Sequence, residues 1–233
     1  MSIVSQLFAA GDNHACMVLT GLPNSKPDGL YCWGSGGNGQ LGTDNTNNQG
    51  DGSGEMANLQ PVNLGNGRSA IAISAGYLHT CAILDDSTLK CWGQGGDGQL
   101  GYDNNTNVGD GSGTAMASLG TVNLGSGRTA KAVSAGGSHT CAILDNDQLK
   151  CWGNNNVGQL GFYPCSNAGK GGAGDIAMAS LQAIDLGNNS TAKAVSCGMS
   201  FTCALLDNDD LKVTPTIWPL QIKPRPCTLS LIQ

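Results

Sequence analysis

Cysteine and histidine recur in this chain at fixed places, and both residue types can do chemistry. Cys81 and Cys91 lie ten residues apart, Cys141 and Cys151 again ten apart, and Cys16 and Cys32 sixteen apart. Constant spacing invites three readings: a metal site, a redox pair or a structural cross-link. Zinc sites use C-x-x-C knuckles or comparable clusters, which the sequence lacks, so no metal is expected. His14, His79 and His139 each stand two residues before the first cysteine of a pair. A catalytic histidine is rarely needed in every copy of a repeat, whereas a structural hydrogen bond tying strand to turn is needed in each. No nucleophile elbow, paired carboxylates or H-E-x-x-H helix supports catalysis, so neither a catalytic residue nor a cofactor is expected. "DNTNNQGDGSGE" at 44–55 resembles a calcium loop, but Gln49 stands where that loop wants glycine and the next copy ends in Thr114 instead of a carboxylate. It reads as a solvated loop.

The elements that position these residues come from self-similarity. "SAGYLHTCAILDDSTLKCWGQGGDGQLG" at 74–101 returns as "SAGGSHTCAILDNDQLKCWGNNNVGQLG" at 134–161, a period of 60 residues. A looser first copy reads "AAGDNHACMVL" at 9–19 and "LYCWGSGGNGQLG" at 30–42, and a fourth begins "SCGMSFTCALLDNDDLK" at 196–212. "HTCAIL" and "LKCW" flank a four-residue turn and form a hairpin; "AKAVSAG" precedes it as a third strand and "LGTVNL" as a fourth. Four short antiparallel strands per unit, closed by glycine turns, predict an all-β chain of β-propeller blades, an incomplete ring or arc of about 3.5 to 4 blades. Units are expected near 6–70, 71–130 and 131–192, with a partial one at 193–212. Folding the hairpin sets its two cysteines opposite one another, within reach of a disulfide, with buried reduced thiols as the alternative. Trp33, Trp92 and Trp152 follow the second cysteine of each pair and are expected to pack in the blades.

These residues resemble the regulator of chromosome condensation repeat family, whose units read G-x-x-H-T/S-x-A-L and then W-G-x-N-x-x-G-Q-L-G. Gly76, His79, Thr80, Trp92, Gly93, Gln99, Leu100 and Gly101 carry the likeness, and the next unit repeats it from Gly136 to Gly161. The resemblance implies a seven-bladed propeller serving mainly as a scaffold for protein partners. It also implies two alternatives, a guanine-nucleotide exchange factor for a Ran-type GTPase and a secreted, disulfide-stapled inhibitor or adhesion propeller. Ultraviolet-sensing members would place tryptophan and arginine between Gly and His. Here those positions hold Asp12 and Asn13, Tyr77 and Leu78, Gly137 and Ser138, and Met199 and Ser200.

Composition narrows the classes. Glycine is 36 of 233 residues, only 12% are charged, and the net charge is −6 with scattered Lys and Arg, which argues against direct nucleic-acid binding. No apolar run is long enough to span a membrane and no signal peptide is visible, although cysteine pairing points to an oxidising compartment if the N-terminus is incomplete. From Val213 the chain leaves the repeat pattern, and 213–233 is read as non-native sequence from an unspliced intron. An arc leaves unpaired edges that favour self-association. The expected function is a non-catalytic interaction scaffold for a protein partner. Its contacts are expected at the eight residues between Gly and His and at the variable loops 43–57, 102–117 and 162–179.

Overall fold

A computed structural model describes residues 7–21, 26–65 and 67–214. Each hairpin forms where a polar four-residue turn lets the chain reverse. Leu84 accepts a backbone bond from Ser87 and donates one to Thr88, both at 2.8 Å, with Ser87 at φ 63°. Asp147 and Asp209 take the same left-handed conformation in the corresponding turns. Short polar residues tolerate that region best after glycine, which accounts for the Asp/Ser content of these turns.

Four antiparallel sheets follow. The first comprises β1 (Leu7–Ala10), β2 (His14–Leu19) and β3 (Gly29–Gly34), and the second β4 (Ala70–Ala75), β5 (His79–Leu84) and β6 (Leu89–Gly93). The third comprises β7 (Ala130–Ala135), β8 (His139–Leu144) and β9 (Leu149–Gly153), and the fourth β10 (Ala192–Cys197), β11 (Thr202–Leu206) and β12 (Leu211–Thr214). The first strands β1, β4, β7 and β10 pack side by side, so the sheets succeed one another around a common axis in an open arrangement. β5 and β8 are buried at every residue, because each lies between its own sheet partners and the neighbouring sheets. One apolar core runs through all four sheets.

The expected fourth strand of each unit is not a strand. Val62 N donates to Leu30 O at 2.7 Å, Val122 N to Leu89 O at 2.8 Å and Ile184 N to Leu149 O at 2.7 Å, while the remaining ladder does not form. Its acceptors are spent elsewhere. Lys90 Nζ donates to Leu64 O at 2.8 Å and Lys150 Nζ to Leu124 O at 3.0 Å. In the second unit the Tyr102 hydroxyl inserts between Cys91 N and Gly120 O, at 3.2 Å from each. β12 runs through Val213 to Thr214 in register with β11. The rest of the 213–233 reading lies outside the described residues.

Candidate functional site: the axial cleft and the ties beneath it

The structure places each repeated histidine across a seam between sheets. His14 Nε2 lies 2.7 Å from Thr80 Oγ1, His79 Nε2 2.9 Å from Thr140 Oγ1, and His139 Nε2 2.9 Å from Thr202 Oγ1. The sequence reading expected this bond to tie strand to turn within a unit; it instead joins one unit to the next. Each threonine hydroxyl donates onward to a backbone carbonyl: Thr80 to Gln40 O at 2.9 Å, Thr140 to Gln99 O at 2.8 Å and Thr202 to Gln159 O at 2.9 Å. A hydroxyl has one proton to give, so the histidine Nε2 must be the donor and Nδ1 carries a lone pair. Those three Nδ1 atoms are buried without a hydrogen-bond partner. Burial pushes the imidazoles well below their usual pKa, to about 4 for His14, about 3 for His79 and about 4 for His139. They are neutral structural ties.

The tryptophans reach the same carbonyls. Trp92 Nε1 donates to Gln40 O at 3.1 Å and Trp152 Nε1 to Gln99 O at 3.0 Å, and both side chains are fully buried. The glutamine side chain meanwhile closes its own turn, Gln40 Oε1 accepting from Asn38 N at 2.8 Å and Gln99 Oε1 from Asp97 N at 2.9 Å. The first two G-Q-L-G turns are therefore each gripped by a hydroxyl and an indole of the following unit. Trp33 has a different role: half-buried, it packs against the small cluster of Leu19, Tyr31 and Leu59. Nothing in the sequence revealed that threonine and glutamine 40 residues apart form one contact, although both recur as regularly as the cysteines.

Replacing Thr140 by Val keeps the shape but strands the His79 N–H and removes one of two donors from Gln99 O. We expect a loss of about 2–4 kcal/mol in unfolding free energy, read from urea midpoints, because buried unsatisfied groups cost about 1–3 kcal/mol each.

The six paired cysteines lie directly opposite in register, and the structure joins them as Cys16–Cys32, Cys81–Cys91 and Cys141–Cys151, with Cα separations of 4.1, 4.1 and 4.0 Å. In the fourth sheet Cys203 faces Val213 and remains a thiol, as does Cys197. One grouping was not foreseen. Ligand-type atoms of His139, Cys141 and Cys197 lie within 4.8 Å of one another. Cys141 is committed to its disulfide, and burial pushes the Cys197 thiol up to about 11. The loop that resembled a calcium site commits two of its carboxylates to backbone N–H groups: Asp44 Oδ1 accepts from Met116 N of the next loop at 2.9 Å, and Glu55 Oε2 from Gly50 and Gly52 N at 2.7 and 2.8 Å.

Above these ties the three Gly-x-x-His turns and the matching Gly198–Phe201 turn converge on one cleft of about 240 Å³ around the axis, lined by Asp12, Tyr77, Gly137 and Met199 among others. Gly76 allows this convergence, since a Cβ there would stand 2.4 Å from Gly136 O. Asp12, Asn13, Tyr77, Met199 and Ser200 are exposed, and Leu78 and Ser138 are half-buried. Gly137 is buried, contrary to expectation, because Met199 covers it and its N–H bonds to Gly198 O and Met199 O at 3.2 Å. The three variable loops are only partly free surface. Met116 and Met178 are fully buried where one loop seats on its neighbour, while 111–115 is exposed.

The regulator of chromosome condensation (RCC1) repeat matches residues 70–99 and 130–159, and a second description of the same repeat matches 28–83. The chain carries RCC1 repeats. It is 26% identical over 206 residues to the Ultraviolet-B receptor UVR8 of Arabidopsis thaliana, covering 88% of this chain and 40% of that protein. To the mitochondrial RCC1 domain-containing protein RUG3 of the same plant it is 29% identical, covering 78% of this chain and 37% of that one. Human WBSCR16 superimposes with a TM-score of 0.64 at 17% identity, over 88% of this chain and 46% of that chain. Yeast RCC1 (Prp20), solved bound to Kap60, gives 0.61 at 18% identity, over 91% and 44%. The chain thus spans less than half the length of these RCC1-type relatives, and the fold is theirs. Among the described residues no helix is long and apolar enough to cross a membrane.

Proposed function

We propose that the chain is a non-catalytic protein-interaction scaffold whose contact face is the axial cleft. The observation that carries this reading is a division of labour within the repeat. The histidines, threonines and tryptophans that recur between units are mostly buried in ties between sheets, whereas residues that differ from unit to unit stand together at the mouth of one cleft. Tyr77 is 38% exposed and Met199 64% exposed there, beside Asp12. Exposed aromatic and methionine side chains next to a rim of polar groups suit a protein surface, since they bury much area at little cost in polar desolvation. Support also comes from a relative of the same fold, yeast Prp20, which is described as binding Gsp1p and histones. An acidic chain with scattered cations favours a partner that is not nucleic acid.

The test pairs a surface variant with an exchange assay. Tyr77→Asp with Met199→Asp should leave the circular dichroism and melting temperature unchanged and abolish co-purification of the partner that the unaltered chain retains. Retention of that partner by the double variant would overturn the assignment of the face. Faster nucleotide release from a Ran-type GTPase in the presence of the chain would replace the scaffold reading with exchange activity.

A further inference from the structure

We propose that the seam between the third and fourth sheets is a binding site for a small, uncharged aromatic molecule of about the size of indole. The two preceding seams show what that space is shaped for. Thr80 pairs in register with Trp92, and Thr140 with Trp152; in the fourth sheet Thr202 pairs with Thr214. Threonine therefore stands where the other units have tryptophan. Its hydroxyl takes over the polar duty of the indole, donating to Gln159 O at 2.9 Å alongside Thr202 at 2.9 Å. Among the described residues nothing replaces the apolar bulk.

The surroundings have kept the form of an indole pocket. At the intact seams a Cβ on Gly42 or Gly101 would come within 2.9 Å of the indole Nε1, with Val62 or Val122 beside it. At the third seam Gly161 occupies that place at φ 80°, facing Thr214 Cγ2 and Ile184 instead of a ring. The result among the described residues is a cavity of about 150 Å³ bordered by Leu149, Leu160, Ile184, Leu186, Ala204 and Val213. Cavities of roughly this volume with aliphatic walls stay dry and accept benzene-sized ligands in other proteins. Thr214 Oγ1, having donated its proton, keeps lone pairs for an N–H or O–H on the ring. Asp185 and Lys212 also border the space, but the Asp185 carboxylate already accepts Gly187 N at 2.8 Å. A charged ligand would lose its hydration against mostly aliphatic walls, which selects a neutral one.

Titrating the full chain with indole, followed by methyl carbon–proton spectra, tests the site. Saturable shifts should be confined to Ile184, Leu160 and Val213 and their neighbours, and the melting temperature should rise with indole concentration. Thr214→Trp should weaken binding at least tenfold by restoring the native occupant of the other seams. Ile184→Phe, filling the cavity from the opposite wall, should do the same should the larger substitution disturb the seam. Indole-3-acetate, with the same ring and a carboxylate, should bind at least tenfold more weakly than indole. Absence of saturable shifts, shifts elsewhere, or binding that survives both substitutions would each overturn the proposal.

Discussion

Lowering the pH from 7.5 to 5 is expected to remove about 6 kcal/mol of stability, enough to unfold an ordinary domain. The source is the three seam histidines. In the unfolded chain each takes up a proton near pH 6.5, whereas in the folded protein burial holds His14 and His139 to about 4 and His79 to about 3. Between those limits the unfolded state binds up to three more protons, so stability falls as pH falls through the window from about 6.5 to about 4 and is complete above it. Each histidine contributes about 2 kcal/mol by pH 5, at about 1.4 kcal/mol per pH unit. The geometry explains why protonation is resisted: the site left is a buried Nδ1 without a hydrogen-bond partner, offset only at His139 by the nearby Phe201 backbone, while Nε2 already spends its proton on threonine. Urea unfolding at pH 7.5, 6 and 5 should show the loss, and His79→Gln, which keeps an N–H for Thr140, should shallow the slope by about one third. A midpoint that does not move between pH 7.5 and 5 would contradict the neutral, buried assignment.

What the sequence could show of this depended on distance along the chain. The hairpins, their polar turns and the facing cysteines were legible because their partners stand ten to sixteen residues apart and repeat. The histidine tie was not, because its partner lies 66 residues away for His14 and belongs to the next sheet. Which residues meet across a seam depends on how twisted sheets stack, and no periodicity within one unit encodes that. The supposed fourth strand failed for a related reason: its alternation was correct, but the lysine of the next unit captures a carbonyl that the ladder needed. Unit-to-unit variation singled out Asp12, Tyr77 and Met199, but their convergence on one cleft, like the burial of Gly137 under Met199, depends on how the sheets stack.

The same seam logic implies that the disulfides carry more of the stability than any single contact, and that the fourth sheet is the weak one. By the chain-entropy argument a loop of ten residues constrains the unfolded state by somewhat under 3 kcal/mol and one of sixteen by about 3, so loss of the three hairpin bonds should remove about 8 kcal/mol. Each sulfur of the three hairpin bonds sits on a residue at most 1% exposed, so reductant reaches them through opening of the sheets. Reduction should be slow in native buffer and fast near the urea midpoint, with unfolding then following without further denaturant. The fourth sheet has no such staple, since Cys203 faces Val213, and its amides should exchange with deuterium faster than those of β8 and β9. Val213→Cys supplies the missing partner in the register that the other hairpins use, closing a loop of about ten residues. That variant should gain about 2–3 kcal/mol under oxidising conditions and nothing under reducing ones, and it should slow exchange in β12 selectively. A stabilised β12 only in the oxidised variant would identify the cross-strand bond as the element that the fourth unit lacks; no gain would mean that the seam itself, with threonine in place of tryptophan, sets the limit.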